Sequence, residues 1–124
     1  MAPARILLCD DHEALRRVAL GILSGDGHEV VGVASAAQAI ERLAAERFDL
    51  LVLDLRLGAD SGLDVLDGAP ARPPVLLLSG AFEPRDGALD AARYGVESAL
   101  AKPFDADELC SAVRALLDGA TPPG

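Results

Sequence analysis

Short apolar runs alternate along the chain with segments of helical periodicity. Continuous apolar runs, which are typical of strands buried on both faces, occupy residues 4–10, 29–34, 48–54, 75–79 and 96–101. Helical spacing follows them at residues 13–23, 36–44, 63–66, 84–94 and 106–118. Strands that alternate with helices in this way predict parallel βαβ units. The fold class is therefore predicted to be α/β, with a doubly wound parallel sheet.

The predicted helices carry start and stop signals. Ser35 with Gln38, and Asp105 with Glu108, have the spacing of capping boxes. Prolines after Gly68 end the third helix early. The side chains expected to face inward from the first, second and last helices are Leu15, Val18, Ala19, Ile22 and Leu23; Ile40, Leu43 and Ala44; and Leu109, Val113, Leu116 and Leu117.

Length, charge and cysteine use narrow the class of protein. A chain of 124 residues fits one domain, and we assign residues 1–119 to it and 120–124 to a tail or the start of a linker. The formal net charge of −9 argues against direct nucleic-acid binding by this domain. There is no signal peptide or membrane-length apolar segment, which favours the cytoplasm, with Cys9 and Cys110 reduced. The two histidines, His12 and His28, are expected to face solvent.

Polar side chains follow four of the five predicted strands. Asp10 and Asp11 come after the first strand, Asp54 after the third, Ser79 after the fourth and Lys102 after the fifth. The carboxyl ends of parallel strands meet at one edge of the sheet, where ligands bind. Each residue alone is explained equally well by a helix cap, a turn or a solvated charge. Three converging carboxylates, however, repel one another unless cations join them.

The set predicts a site for phosphoryl chemistry. Lys102 supplies one positive charge and a hard divalent ion such as Mg²⁺ supplies the rest. An ionised Asp54 can attack phosphorus and form an aspartyl-phosphate, while Asp10 and Asp11 help Asp54 to hold the metal. The Ser79 hydroxyl and the Lys102 ammonium would contact the remaining phosphoryl oxygens.

At this point the sequence resembles the receiver domain of two-component response regulators over about residues 4 to 118. The segments that carry the resemblance are "CDDHEALRR" (9–17), "LLVLDLRLGADSGLDVL" (50–66), "LLLSG" (76–80) and "AKPFDADEL" (101–109). The resemblance implies a flavodoxin-like (βα)5 fold with a five-stranded sheet in the order 2-1-3-4-5. It also implies two-component phosphorelay signalling, in which Asp54 accepts a phosphoryl group from a sensor histidine kinase or a phosphotransfer protein.

The resemblance assigns further roles and partners. The backbone carbonyl of Arg56 joins Asp10, Asp11 and Asp54 as a ligand of Mg²⁺ (or Mn²⁺). Ser79 is the switch hydroxyl, Lys102 contacts the phosphate, and the Lys102–Pro103 bond is expected to be cis. The domain would be a phosphoacceptor that assists its own phosphotransfer and dephosphorylation, not an enzyme. Its other partner would be a downstream protein effector. The domain would be a monomer or a weak dimer through the face formed by the fourth predicted helix, the fifth strand and the last helix.

Three positions depart from the family pattern. Ala99 stands three residues before Lys102, where the family usually has Tyr or Phe; Gly58 replaces a common proline; and the third helix is short. Ala99 motivates an alternative function, a receiver-fold interaction module that acts without phosphorylation. A metal-dependent phosphohydrolase is the third possibility. Arg56 argues against it, since those enzymes carry a second acid two residues after the nucleophile, and the chain has no room for a cap domain.

Overall fold

The sheet is parallel and has five strands. The computed structural model describes residues 4–57, 60–69, 72–79, 96–101 and 104–118. The strands are β1 (Arg5–Cys9), β2 (Glu29–Val33), β3 (Leu50–Asp54), β6 (Val75–Ser79) and β7 (Ser98–Ala101), and a separate antiparallel hairpin pairs β4 (Arg56–Leu57) with β5 (Asp60–Ser61). The sheet order is β2-β1-β3-β6-β7, and every neighbouring pair is parallel. Counted along the chain, its five strands run 2-1-3-4-5, so the predicted fold and strand order are confirmed.

Four helices lie within the described residues. They are α1 (Glu13–Gly25), α2 (Ala36–Ala45), α3 (Gly62–Gly68) and the C-terminal helix (Ala106–Leu117). The fourth predicted helix, at 84–94, lies outside the described residues. The expected capping box is present at the C-terminal helix, where Asp105 and Glu108 exchange both hydrogen bonds. At α2, Ser35 accepts from the Gln38 N–H as predicted, but the Gln38 side chain accepts from Ala34 and not from Ser35.

The apolar core has one part on each face of the sheet. Strand β3 is buried along its whole length, so its side chains alternate between the two parts. We call the part beneath α2 and α3 the α2/α3 cluster; it contains Leu7, Cys9, Val33, Ala36, Ala39, Phe48, Leu51, Leu53, Val65, Leu66, Val75, Leu77 and Val96. The part beneath α1 and the C-terminal helix is the α1/C-terminal cluster; it contains Ala4, Ile6, Leu8, Ala19, Leu23, Leu50, Val52, Leu76, Leu78, Leu109, Val113 and Leu116.

Three of the expected inward-facing side chains lie outward. Leu15 is 41% exposed and Val18 is 58% exposed, whereas Ala19 and Leu23 of the same helix are buried. On α2, Ala44 is exposed, whereas Ala36 and Ala39 are buried. The reason is that each helix buries only a narrow stripe against the sheet, and periodicity alone does not give the width of that stripe.

One arginine joins several elements at the amino ends of the strands. Arg5 donates from its guanidinium to Glu29, to Glu46 and to the backbone oxygen of Arg47, and it lies 4.8 Å from the centre of the Phe48 ring. The hydrogen bond from Arg5 is the largest of the effects that lower the pKa of the Glu46 carboxyl. This network ties the starts of β1 and β2 to the end of α2.

The environments of the cysteines and of one histidine are also defined. Cys9 is buried, Cys110 is partly buried, and both are free thiols. His12 is exposed as expected, but His28 is not, since its side chain is only 10% exposed. No helix in the described ranges is both long and apolar enough to cross a membrane.

Candidate functional site

Strand alternation brings two of the predicted acids to one face of the sheet. Leu50 and Val52 of β3 contribute to the α1/C-terminal cluster, and so the period of two places Asp54 on the same face. Ile6 and Leu8 set the same phase on β1, and Asp10 continues it. Because β1 and β3 are neighbours in register, with Cys9 opposite Leu53, the two carboxylates meet at the carboxyl ends of the strands.

Asp10, Asp11 and Asp54 form an acidic cluster. Each offers a carboxylate oxygen, and these oxygens all lie within 4.8 Å of one another. Asp10 and Asp54 are buried, at 2% and 4% exposed, whereas Asp11 is exposed. Three oxygen donors at this spacing match the preference of hard divalent cations for carboxylate ligands. The residues therefore fit a metal ion that stays open to solvent on the side of Asp11.

The backbone around Asp10 is held by residues that the sequence did not point out. The Asp10 N–H donates to the Val33 carbonyl at 3.1 Å, and one Asp10 carboxylate oxygen accepts from the His12 N–H at 2.9 Å. The Arg16 guanidinium donates to the Asp10 carbonyl, also at 2.9 Å. His12 then begins α1, because its Nδ1 accepts from the Leu15 N–H. The feature of the sequence that could have pointed to Arg16 is its position in the first turns of the predicted helix, close after Asp10 and Asp11.

The chain leaves Asp54 through a hydrogen-bonded bend into the β4–β5 hairpin. Asp54 lies opposite Leu78 of β6, and the next N–H, that of Leu55, donates to the Leu78 carbonyl at 2.9 Å. Arg56, two residues past Asp54, pairs with Ser61 across the hairpin. The hairpin starts at Arg56, the residue whose carbonyl was predicted to bind metal.

Ser79 and Lys102 are defined to different degrees. Ser79 is the last residue of β6 and lies opposite Ala101, the last residue of β7. Its backbone is thus at the same edge of the sheet as Asp54. Lys102 follows Ala101 directly, but Lys102, Pro103 and the side chain of Ser79 lie outside what the structure describes. The predicted phosphate contacts and the cis Lys102–Pro103 bond therefore stay predictions.

Cys9 lies beside the acidic cluster without sharing its chemistry. Burial, followed by the charges of the nearby carboxylates, raises the pKa of the Cys9 thiol to about 12. Its sulfur lies 3.6 Å from the backbone oxygen of Ser35. A thiol in this environment stays protonated at neutral pH and is a poor nucleophile.

Ala99 lies on the opposite face of the sheet from Asp54. It pairs with Leu77 in β7, and it is partly buried against the α2/α3 cluster. The position at which the family usually carries an aromatic ring thus holds a methyl group that packs on the core. Ala99 therefore has no aromatic ring that could move between two positions.

Comparison with known proteins identifies the family. The model of the response regulator receiver domain matches residues 6–114. AlgB of Pseudomonas putida, an alginate biosynthesis transcriptional regulatory protein, is 41% identical over 107 residues, which are 85% of this chain and 24% of that protein. The chain thus spans about a quarter of the length of this relative.

Solved structures agree in fold. NtrX from Brucella abortus in complex with ATP superposes with a TM-score of 0.84 at 32% identity, covering 96% of this chain and 28% of that one. The receiver domain of a sensor histidine kinase from Pseudomonas aeruginosa, with a magnesium ion coordinated in its active site cleft, gives a TM-score of 0.82 at 25% identity and covers 94% of this chain and 99% of that one. With the family model matching most of its length, the chain belongs to the response regulator receiver domain family.

Proposed function

We propose that this receiver domain accepts a phosphoryl group on Asp54 from a phosphohistidine of a sensor histidine kinase or a phosphotransfer protein. The observation that carries the proposal is the cluster of Asp10, Asp11 and Asp54 at the carboxyl ends of β1 and β3. Carboxylates this close together repel one another, so the cluster by itself does not stabilise the fold. It is explained by a divalent cation, which carries the opposite charge and can bind the carboxylates and the negatively charged phosphoryl group together.

Asp54 is the nucleophile in this proposal. One of its carboxylate oxygens forms a bond to phosphorus as the bond between phosphorus and the imidazole nitrogen of the donor breaks, and the electron pair stays on the imidazole. Asp54 stands at the end of a strand that is buried along its length, so the nucleophile is carried by a rigid element. Asp10 is engaged by the His12 N–H, and Asp11 lies at the exposed rim.

A Mg²⁺ or Mn²⁺ ion would be held by Asp10, Asp11, Asp54 and the backbone carbonyl of Arg56. When bound, the divalent cation neutralises charge on the transferring phosphoryl group. The oxygen-only donor set supports this assignment, as does the magnesium ion in the similar receiver domain from Pseudomonas aeruginosa. Arg16 has a positioning role, because it holds the Asp10 carbonyl.

Ser79 and Lys102 complete the proposed site. Their places at the ends of β6 and β7 bring them to the edge of the sheet that carries Asp54, where a hydroxyl and an ammonium would bind the phosphoryl oxygens. The proposed transfer modifies Asp54 of the domain itself, and hydrolysis of the aspartyl-phosphate restores the free carboxylate. It is therefore a phosphoacceptor and not an enzyme with an external product.

The output of the domain is proposed to be protein contact in the cytoplasm. A downstream effector, as a separate protein or a further domain, would distinguish the phosphorylated from the unphosphorylated state. The formal net charge of −9 disfavours direct contact of this domain with nucleic acid.

Mass spectrometry tests the proposal. The chain is incubated with acetyl phosphate and Mg²⁺, and we expect the intact mass to increase by one phosphoryl group. Asp54→Asn should abolish the increase, whereas Asp67→Asn, which removes an exposed carboxylate on α3, should leave it unchanged. A mass increase that persists in Asp54→Asn would place the acceptor elsewhere, and no increase in the wild-type chain would refute phosphoacceptance.

A second function, an interaction module that works without phosphorylation, is favoured by Ala99. Its methyl group packs against the α2/α3 cluster where the family uses an aromatic ring. Binding of an effector, once identified, to the free domain and to the domain with beryllofluoride distinguishes the two functions. Equal affinities support the phosphorylation-independent module, and a difference supports the phosphoacceptor.

A further inference from the structure

An ion pair joins two elements on the face of the sheet that carries the acidic cluster. Asp26 follows α1, and its N–H donates to the carbonyls of Ile22 and Leu23. Arg114, from the C-terminal helix, donates to both carboxylate oxygens of Asp26, with Nε to Oδ2 at 3.0 Å and Nη2 to Oδ1. The hydrogen bond from Arg114 is the main cause of the lowered pKa of Asp26. We call this pair the Asp26–Arg114 latch.

His28 lies beside the latch with its ring buried. Both ring nitrogens are inaccessible, and neither has a hydrogen-bond partner among the residues that the structure describes. Its Nε2 lies 3.8 Å from Oδ2 of Asp26, the oxygen that also accepts from Nε of Arg114. Buried polar groups without partners are uncommon and call for an explanation. Here the ring lies next to a carboxylate that is already engaged by a cation.

We propose that protonation of His28 weakens the Asp26–Arg114 latch. Protonation of the ring places a second cation beside Asp26, so that one carboxylate has to serve both His28 and Arg114. The imidazolium N–H competes for Oδ2, and the two cations repel each other. The hold of Arg114 on the turn after α1 weakens in consequence.

The other ionisable groups around the latch agree with this role. Cys110, one turn before Arg114 on the same helix, hydrogen-bonds Asp26, and burial raises the pKa of its thiol, so it adds no charge. The pKa of Arg114 is raised first by its hydrogen bond to Asp26, and the charge of Asp107 on the same helix makes the smallest contribution.

The position of the latch gives the release a consequence. Helix α1 begins just after Asp11 and has 13 residues, which at 1.5 Å per residue is about 20 Å. The start of α1 therefore lies beside the acidic cluster, and its C-cap residue, Asp26, belongs to the latch. Release by a proton removes this ion pair between α1 and the C-terminal helix, while the α1/C-terminal cluster keeps the two helices packed together.

NMR on the full chain tests this inference. The ring protons of His28 and the Nε–H of Arg114 are followed together from pH 7.5 to pH 5.5. We expect both signals to change with one midpoint, and exchange of the Arg114 Nε–H, corrected for its intrinsic pH dependence, to rise about two- to fivefold. This is the range expected for an ion pair between partly exposed groups. Titration of His28 that leaves the Arg114 signal unchanged would overturn the proposal.

Two variants of the only histidines in the chain supply the control. His28→Gln should remove the pH response of the Arg114 Nε–H, and His12→Gln, at the other end of α1, should retain it. Asp26→Asn should show fast exchange at both pH values, because the latch is then absent. A response that survives in His28→Gln, or is lost in His12→Gln, contradicts the assignment to His28. The joint titration in the wild-type chain decides the question even if a variant folds poorly.

Discussion

The acidic cluster should make the metal-free domain less stable than it would be with one carboxylate fewer. Asp11→Asn tests this, because Asp11 is the exposed member of the cluster and its replacement keeps the shape of the side chain. Its carboxylate oxygen lies within 4.8 Å of those of Asp10 and Asp54. At the dielectric constant of water, each such pair of charges repels by about 0.9 kcal/mol or more, and the two pairs together by about 1.7 kcal/mol.

We therefore expect Asp11→Asn to raise the free energy of unfolding in EDTA by about 1–2 kcal/mol. For a domain of this size, that is a rise in Tm of roughly 3–10 °C. Divalent metal at high concentration should reverse the ranking, because a ligand at a hundredfold its Kd stabilises the wild-type chain by about 2.7 kcal/mol. The variant, which lacks one of the proposed ligands, should gain much less from Mg²⁺.

The assay is thermal or urea unfolding in EDTA and in a Mg²⁺ titration, with Asp67→Asn as the matched control. Both variants remove one negative charge from the formal −9, but Asp67 is exposed on α3 and outside the cluster. The reasoning is refuted if Asp11→Asn is less stable than the wild-type chain in EDTA. It is equally refuted if both variants respond to Mg²⁺ as the wild-type chain does.

Two further predictions concern packing and pH. Gly21→Ala, with nothing within 4 Å of the added Cβ, should raise the free energy of unfolding by about 0.5–1 kcal/mol. Gly68→Ala should lack this gain, because its Cβ would lie 2.5 Å from Cδ1 of Ile40 and the Ile40 side chain has to shift. Equal effects of the two variants in urea unfolding would contradict this. Hydrogen bonds from Arg5 and Arg42 lower the pKa of Glu46 below its ordinary value of 4.5. The stability that the ionised Glu46 carboxylate contributes is therefore present above pH 4.5, and it is lost as the pH falls through the lower pKa of the folded state. Glu46→Gln should thus be destabilising at pH 7 and nearly neutral at pH 2 in pH-dependent unfolding, whereas Glu41→Gln, exposed on the same helix, should show little change.

The parts of the fold that follow from local sequence were predictable. The continuous apolar run before Asp54 predicted a strand buried on both faces, and β3 is one. Because parallel strands end at one edge, acids placed directly after β1 and β3 were expected to converge, and Asp10, Asp11 and Asp54 do so. The cap at Asp105 was likewise fixed by residues within one helical turn.

The parts that depend on distant partners were not predictable. His28 stands between Gly27 and Glu29 in a polar turn, which suggested exposure, whereas its side chain is only 10% exposed. The partner of Asp26 in that turn is 88 residues away. The role of Arg16 could not be predicted for another reason. Arg16 binds the backbone carbonyl of Asp10, and every residue has such a carbonyl, so the sequence does not show which one is bound.

The two faces of the sheet also bear on how a change at Asp54 would reach the rest of the domain. Ala99 contacts the α2/α3 cluster, whereas Asp54 lies on the face of the α1/C-terminal cluster. On that face, Leu78, directly opposite Asp54 in register, belongs to the same cluster as Leu109 of the C-terminal helix. Packed side chains thus connect the strand beside Asp54 to the C-terminal helix on a face of the sheet that does not include position 99. This helix is also the one that Arg114 joins to the end of α1.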